Sequence, residues 1–356
     1  MNAKTILTAL ALASCGALAA SVLGAEQQSL DIAWPEKPGD ASVCLWKGDK
    51  EAAFSFTVDD NCKPDHAWWM KLSDELGFKL TWFVITDKVE NKATAGFSGS
   101  WADWQKLADA GHSIQSHTTN HQSAKTMKRE LTDDELRAMY RDSLVAINKN
   151  VTNNLACCIA YPRGEAHQKL AAEFAIAARG TSGVPDRADK IDWLCTNSGG
   201  SPASAEVILE GKTEKGPKWI HSKPALRHGW AVALYHLVHH GRTDAEREET
   251  ATKVEADVRE ICSHKDRLWI GRFEDVARYG QERDTAKVTA KVEGDKVSVS
   301  VADGMDDAKF NFPLTVKVRL PDGWTGVKGG TFVSHDGKPY ALVDVIPDRG
   351  AVVLTK

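Results

Sequence analysis

The sequence lacks a glycine-rich phosphate loop. Neither G-x-G-x-x-G nor G-x-x-x-x-G-K-[ST] occurs in it, so no motif supports nucleotide binding. It lacks a long run of one charge sign, and its formal net charge is −4; this composition offers no basic surface for nucleic acid. It lacks any C-x-x-C pair, which argues against a cysteine zinc site and a thioredoxin-like redox motif. Beyond the N-terminus no apolar stretch is long enough to span a membrane. Hydrophobic residues at 42% and charged residues at 26% are ordinary for a globular protein.

The N-terminus reads as an export signal over residues 1–25. Lys4 is followed by "ILTALALASCGALAA", with Ala17-Leu18-Ala19 as a cleavage site and a second near Ala25. The expectation is a periplasmic or extracellular protein. An alternative comes from "LASC", Leu12 to Cys15, which resembles a bacterial lipoprotein signal and would tether the chain to a membrane through Cys15. Without Cys15, the cysteines are Cys44, Cys62, Cys157, Cys158, Cys195 and Cys262. An even number in an exported protein permits disulfides without prescribing them. Adjacent Cys157 and Cys158 lie in an apolar run, and at least one reads as a buried thiol.

Strand and helix patterns alternate from residue 26 to 283. "AAFSFTV" reads as a first buried strand and "DHAWWMKLSDELG" as a helix stopped by Gly77. "KLTWFVI" is a strand, and "SWADWQKLADAG" a helix with Ser100 as N-cap. After the strand "HSIQSH", Thr132 and Glu135 predict a capping box. "LACCIAYP" then reads as strand, "EAHQKLAAEFAIA" as helix, "WAVALYHL" as strand, "DAEREETATKVEADVREICSH" as helix, "RLWIG" as strand and "FEDVARYGQER" as helix. This alternation predicts a parallel sheet covered by helices, in a (β/α) barrel. From residue 284 the pattern changes to strict alternation with Asp-Gly and Gly-Gly turns. Residues 284–356 therefore read as a small antiparallel β-domain of the sandwich type, with Trp324 in its core rather than on its surface.

Polar clusters stand at the C-terminal ends of the predicted strands, where such folds assemble their sites. Asp59-Asp60 ends the first. His117 and His121 follow "HSIQS"; on a helical turn, residues four apart share a face and both imidazoles would reach one metal ion. "IAYPRGE" ends another strand in a turn whose backbone N–H groups would suit a developing oxyanion. His236 ends "WAVALYH" as a general acid or base. His112 reads as structural. One Asp and two His make a three-ligand metal set with an open position, and a second Asp beside it can accept a proton. Together these are the parts of a metal-assisted hydrolase of esters or amides.

With these residues in view, the chain resembles the polysaccharide deacetylases of carbohydrate esterase family 4. The family's T-F-D-D-G appears as "TVDDN" (57–61), its H-[ST]-x-x-H as "HTTNH" (117–121), its P-Y-G segment as "YPRG" (161–164), and its apolar strand ending in His as "WAVALYHL" (230–237). The resemblance implies a distorted (β/α) barrel. It implies Asp59 as general base and His236 as general acid. It implies Asp60, His117 and His121 as ligands of a divalent ion, zinc by expectation, with cobalt, nickel or manganese as alternatives. Tyr161, Pro162 and Arg163 would form the oxyanion and substrate turn. The implied substrate is a carbohydrate bearing N- or O-acetyl groups, with no nucleic acid or nucleotide partner.

The chain departs from the family in three places. Asn61 replaces a glycine but tolerates left-handed backbone. Ala160 stands where the family has an Arg that orients the catalytic Asp, and Arg163 is the candidate to compensate. "DKIDW" (189–193) spells the family's D-x-x-D-W segment in a loop-like setting, so the partner of His236 is open. Two other functions stay open: a carbohydrate-binding protein that keeps the fold without turnover, and a metal-dependent hydrolase of another small amide or ester.

Overall fold

A computed structural model describes residues 33–356 of the chain. The expected signal, with Cys15, lies outside the described residues. No helix among the described residues is long and apolar enough to cross a membrane. The short strand β1 (Ala41–Val43) precedes β2 (Ala52–Val58). All seven residues of β2 are buried, as expected of a strand paired on both edges and covered on both faces. Then come β3 (Thr81–Val84), β4 (Ser113–Ser116), β5 (Cys158–Ala160), β6 (Ala177–Arg179), β7 (Trp230–Tyr235) and β8 (Leu268–Ile270). With β2 these strands form one sheet in the order β6-β5-β4-β3-β2-β7, with β8 also on β2. Every pairing in it is parallel.

The sheet forks at β2. One edge pairs with β7 from Ala53 to Val58. The other pairs with β8 at Ala52–Phe54 and with β3 only at Thr57 and Val58. The result is a curled, open (β/α) half-barrel, the form taken here by the (β/α) barrel that the alternation predicts. An irregular segment bridges the gap between β6 and β7. Asp186 exchanges backbone hydrogen bonds with Trp230 at 2.8 and 2.9 Å, and Thr196 donates to Ala178 O at 2.9 Å. Parallel pairing has one consequence for function: the C-terminal ends of the strands open on one face.

The helices follow their caps. Trp101–Asp109 starts at a Ser100–Asp103 capping box, Asp133–Asn150 at Thr132–Glu135, and His66–Leu76 stops at Gly77 with φ +62. One expectation fails. "EAHQKLAAEFAIA" is helical only over Gln168–Ala171, and its end runs into β6. Alanine-rich composition favours helix weakly. Here Cys158–Ala160 pairs with Ala177–Arg179 and Trp193 O accepts from Ala178 N at 2.7 Å, and this tertiary pairing wins. A helix passed over by the sequence reading, Pro202–Glu210, has its own signals in Ser201 as N-cap, Pro202, and Gly211 in left-handed backbone.

The remaining strands are antiparallel: β9 (Lys287–Glu293), β10 (Lys296–Ala302), β11 (Leu314–Arg319), β12 (Thr331–His335), β13 (Lys338–Val345) and β14 (Val352–Thr355). They form two sheets, β1-β11-β13-β12 and β14-β10-β9. The lead strand β1 thus pairs with β11 rather than with the barrel. Val297, Val299, Val316, Val318, Val343 and Leu354 fill the space between them, and Trp324 is buried there at 5% exposure.

This core is continuous with part of the barrel's. Trp46, Trp230, Phe273 and Tyr279 belong to the same buried cluster as the sandwich valines. Tyr279 donates its hydroxyl to Cys44 O at 2.7 Å, and Glu282 accepts Phe312 N at 3.0 Å. Burying one large side chain is worth about 1.5–3 kcal/mol, and a whole domain's stability is about 5–15 kcal/mol. Uncovering Leu45, Trp46 and Tyr279 together would consume most of that. A chain truncated after residue 283 is therefore expected to show no cooperative thermal transition by circular dichroism. A truncated chain that melts like the full one would show that the sandwich is an independent attachment.

Candidate metal centre and acid–base site

The strand β2 delivers two carboxylates in different surroundings. Asp59 is 3% exposed, and its backbone N–H donates to Tyr235 O at 2.9 Å. The next three residues, Asp60, Asn61 and Cys62, have φ of +61, +68 and +40. Left-handed backbone costs roughly 1–2 kcal/mol for each such residue, so the surrounding structure must hold this turn. Asn61 does so. Its Oδ1 accepts from Ile85 N at 2.9 Å, and its Nδ2 donates to Ser98 O at 3.2 Å and Ile85 O at 3.4 Å. A glycine would supply the backbone freedom but none of these bonds. The Cys62 thiol donates to Asp59 O at 3.1 Å.

His117 follows β4 and is buried. Its Nδ1 lies 2.8 Å from Ala160 O. A carbonyl only accepts, so Nδ1 carries the proton and Nε2 keeps a free lone pair. His121 reaches the same place by a loop, not by the helical turn expected from its spacing. Thr118 and His121 have φ of +66 and +57, and Thr118 Oγ1 accepts from His121 N at 3.0 Å. His117 Nε2 and His121 Nε2 each stand 3.7 Å from Asp60 Oδ1.

These three residues fit a divalent ion. Their donor atoms lie within 4.8 Å of one another. Ligands about 2.1 Å from a tetrahedral metal stand about 3.4 Å apart, close to the observed separations. Asp60 Oδ1 is buried without a hydrogen-bond partner, a costly state for a carboxylate oxygen unless a cation meets it. One carboxylate and two imidazoles are three protein donors, the number found in catalytic rather than structural sites.

Asp59 stands beside that set without belonging to it. Its Oδ2 accepts from Arg179 Nη2 at 2.5 Å and lies 3.6 Å from His117 Nε2. Burial alone would raise its pKa. The charge of Arg179 and its hydrogen bond outweigh burial and hold it below the usual carboxylate range. Its Oδ1 is buried and unpartnered, and so is available to accept a proton.

Arg179 is the functional residue that sequence reasoning missed. It ends β6, is 0% exposed, donates from Nη1 to Gly180 O at 3.0 Å, and stacks its guanidinium 5.2 Å over Phe83. It pairs with Asp59, the contact that the resemblance expected of an Arg at position 160. Arg163 does not compensate: it is exposed, has no ion pair among the described residues, and sits at φ +54 in the turn Pro162–Gly164. The signal that pointed to Arg179 was a single Arg closing the apolar run "AIAAR" just before Gly180.

The remaining expected residues fall around this centre. Tyr161 is buried and donates its hydroxyl to Leu194 O at 2.8 Å, and Pro162 is buried. The Arg163 N–H makes no hydrogen bond within the described chain. His236 is 56% exposed, with Nε2 3.8 Å from Asp60 Oδ2. The "DKIDW" segment does not supply its partner: Asp189 pairs with Arg187 at 2.6 Å and Asp192 Oδ2 accepts from Gln168 at 2.5 Å. His112 is structural as expected. Its Nδ1 accepts from Leu80 N at 3.3 Å, and burial pushes its pKa down to about 4. The six described cysteines are free thiols, and both Cys157 and Cys158 are buried.

A half-barrel with an Asp-His-His cluster and a buried, unspent Asp at its strand ends places together the groups that metal-assisted hydrolysis uses. Residues 47–177 match the family model described as polysaccharide deacetylase. It is 35% identical over 346 residues to a gellan lyase from Bacillus sp, an alignment covering 90% of this chain and 13% of that protein; the chain spans only that fraction of the relative's length. Solved structures with partial likeness include a Streptococcus pyogenes deacetylase in complex with acetate (22% identity, 40% of this chain and 62% of that one, TM-score 0.36). Another is a CE4 family pseudoenzyme from Bacillus anthracis (15% identity, 64% and 66%, TM-score 0.40). A third is the Xyl-CE4 domain of a multidomain xylanase from the hindgut metagenome of Trinervitermes trinervoides (13% identity, 64% and 89%, TM-score 0.39).

The Asp59–Arg179 pair has a testable sign. A carboxylate with a depressed folded pKa stabilises the fold above its unfolded value, and that stability is lost as pH falls through the folded pKa. Arg179→Met removes the cation and leaves burial, which raises the Asp59 pKa. The acid limb of kcat/KM is expected to move to higher pH, and neutral-pH stability to fall by about 3–5 kcal/mol, the usual cost of breaking a buried pair. pH–rate profiles and urea titration check both. An unmoved acid limb would show that Arg179 does not set the state of Asp59.

Proposed function

We propose that the chain is an exported, metal-dependent carbohydrate deacetylase. The observation that carries the reading is the division of labour between the adjacent acids. Asp60 Oδ1 faces two bare imidazole nitrogens, while Asp59 is held ionised by Arg179 with one oxygen unspent. A protein that merely binds saccharide has no need of the second arrangement.

A divalent ion at Asp60, His117 and His121, zinc by the preference of such N/O donor sets, would supply Lewis-acid polarisation and a lowered water pKa. The chain's own groups do the rest. Asp59 Oδ1 accepts a proton from the attacking water as its oxygen bonds to the acetyl carbon. The Arg163 N–H, in the turn after Tyr161 and Pro162, donates to the oxygen on which negative charge develops. His236 donates a proton to the leaving sugar oxygen or nitrogen as the acyl bond breaks. The products are acetate and a free hydroxyl or amine. An amine leaving group needs that proton more, so loss of His236 weighs most on N-acetyl substrates. The signal at residues 1–25 directs this chemistry outside the cytoplasm, with tethering through Cys15 as the alternative.

The test couples metal analysis to acetate release from N- and O-acetylated glycans, with acylated gellan-type polysaccharide included because of the gellan lyase relative. Asp60→Asn is expected to lose bound metal and activity together. Asp59→Asn is expected to keep its metal and lose turnover by about 10²-fold or more, the scale of a general base. Equal metal loss in both variants would refute the separate roles. Saccharide binding by the native protein with no acetate release would favour a non-catalytic binder.

A further inference from the structure

His236 is the exposed member of the site, and among the described residues its carboxylate neighbour is the metal-ligand candidate Asp60 at 3.8 Å, yet a proton donor must be held in place to act. The structure shows what holds the loop on which it stands. Asp65, at the start of helix His66–Leu76, is 0% exposed. It occupies the N-cap position, but its side chain makes no capping bond. Its carboxylate turns instead to the loop after β7. Oδ2 accepts from Val238 N, and Oδ1 accepts from His239 Nδ1 at 2.6 Å and from His239 N at 3.4 Å. The His239 ring packs edge-on against Trp68 with centroids 5.6 Å apart. A fully buried carboxylate is tolerated only with such a set of donors, and all of these come from two consecutive residues.

The consequence is a clasp. On one side of His236, Tyr235 is held by β2 pairing and by the Asp59 N–H. On the other side, Val238 and His239 are held by Asp65. Asp65 itself belongs to the segment that begins with Asp59 and Asp60 and turns through Asn61 and Cys62, with Asp65 N donating to Cys62 O at 3.0 Å. The segment bearing the base and the metal ligand is thereby tied to the segment bearing the proton donor.

We propose that Asp65, acting through Val238 and His239, is the positioning residue for His236, in place of the acid of the "DKIDW" segment. The inference rests on the reading of His236 as proton donor to the leaving group. Misplacement of an acting group by about 1 Å costs on the order of 10²-fold. Asp65→Asn is therefore expected to lower kcat by on the order of 10²-fold on N-acetyl and alkyl acetate substrates, with KM and zinc content little changed. Aryl acetates have a leaving group that needs no proton, and their hydrolysis is expected to persist. In a His236→Ala background the same substitution is expected to add little further loss. His239→Ala leaves the buried carboxylate with only its backbone donors and is expected to lose activity. His239→Asn keeps a donor near the Nδ1 position and is expected to recover most of that loss. This pair decides the matter if Asp65→Asn does not fold.

Equal loss on aryl and alkyl acetates, full additivity with His236→Ala, or no difference between His239→Ala and His239→Asn would overturn the proposal. The His236 imidazole resonances, assigned through His236→Ala in the zinc-loaded protein, report on position without turnover. They are expected to shift in the Asp65 and His239→Ala variants while those of His117 and His121 stay, and unmoved His236 resonances would also overturn the proposal. A native protein that releases no acetate would defeat the deacetylase reading, and the resonances would still decide the role of Asp65.

Discussion

The site depends on one buried ion pair, Asp59 with Arg179. A carboxylate at 3% exposure would ordinarily be driven toward its neutral form, and a neutral acid cannot accept a proton. Arg179 reverses that tendency with a charged hydrogen bond from a guanidinium that is itself buried on Phe83. Two consequences follow. Asp59 stays anionic with only one of its oxygens engaged. Asp59 is also held back from the ion site, so the neighbouring Asp60 is the carboxylate free to face His117 and His121.

Two adjacent residues normally point to opposite sides of a strand. Here they serve one pocket because the strand has ended at Val58 and the chain turns sharply through left-handed backbone at Asp60, Asn61 and Cys62. Strain of this kind recurs across the opening at Thr118, His121 and Arg163. It persists because side chains hold it from outside: Asn61 against Ile85 and Ser98, and the Thr118 hydroxyl under His121. The preorganisation sits in the loops, while the parallel sheet only brings the loops to one face.

Much of this was legible in the sequence. The strands β2 and β7 are apolar runs closed by Asp and His, the short strand β4 leads into His117, and Ser100 and the Thr132–Glu135 pair marked helix starts. The strict alternation after residue 284 announced the sandwich. What stayed hidden has physical reasons. Arg179 lies on a three-residue strand inside an alanine-rich segment, and only pairing with β5 decides against helix there. The spacing of His117 and His121 led to the correct pair by the wrong conformation, because loops and helical turns can both bring residues four apart together. Asp65 looks like an ordinary helix cap, and its cross-connection to Val238 and His239 spans more than 170 positions of sequence. The joint between barrel and sandwich was invisible for the same reason: Trp46, Tyr279 and Phe312 are distant in sequence and meet only in the fold.

The central claim is that one ion is held by Asp60, His117 and His121 while Asp59 remains with Arg179. Anomalous diffraction from crystals of the zinc-loaded protein, collected at the zinc edge, tests it most directly. The account requires a single peak about 2.0–2.2 Å from Asp60 Oδ1 and from Nε2 of both histidines, with Asp59 still hydrogen-bonded to Arg179. A peak coordinated by Asp59 with Arg179 displaced, or no peak at this cluster in fully loaded protein, would contradict it.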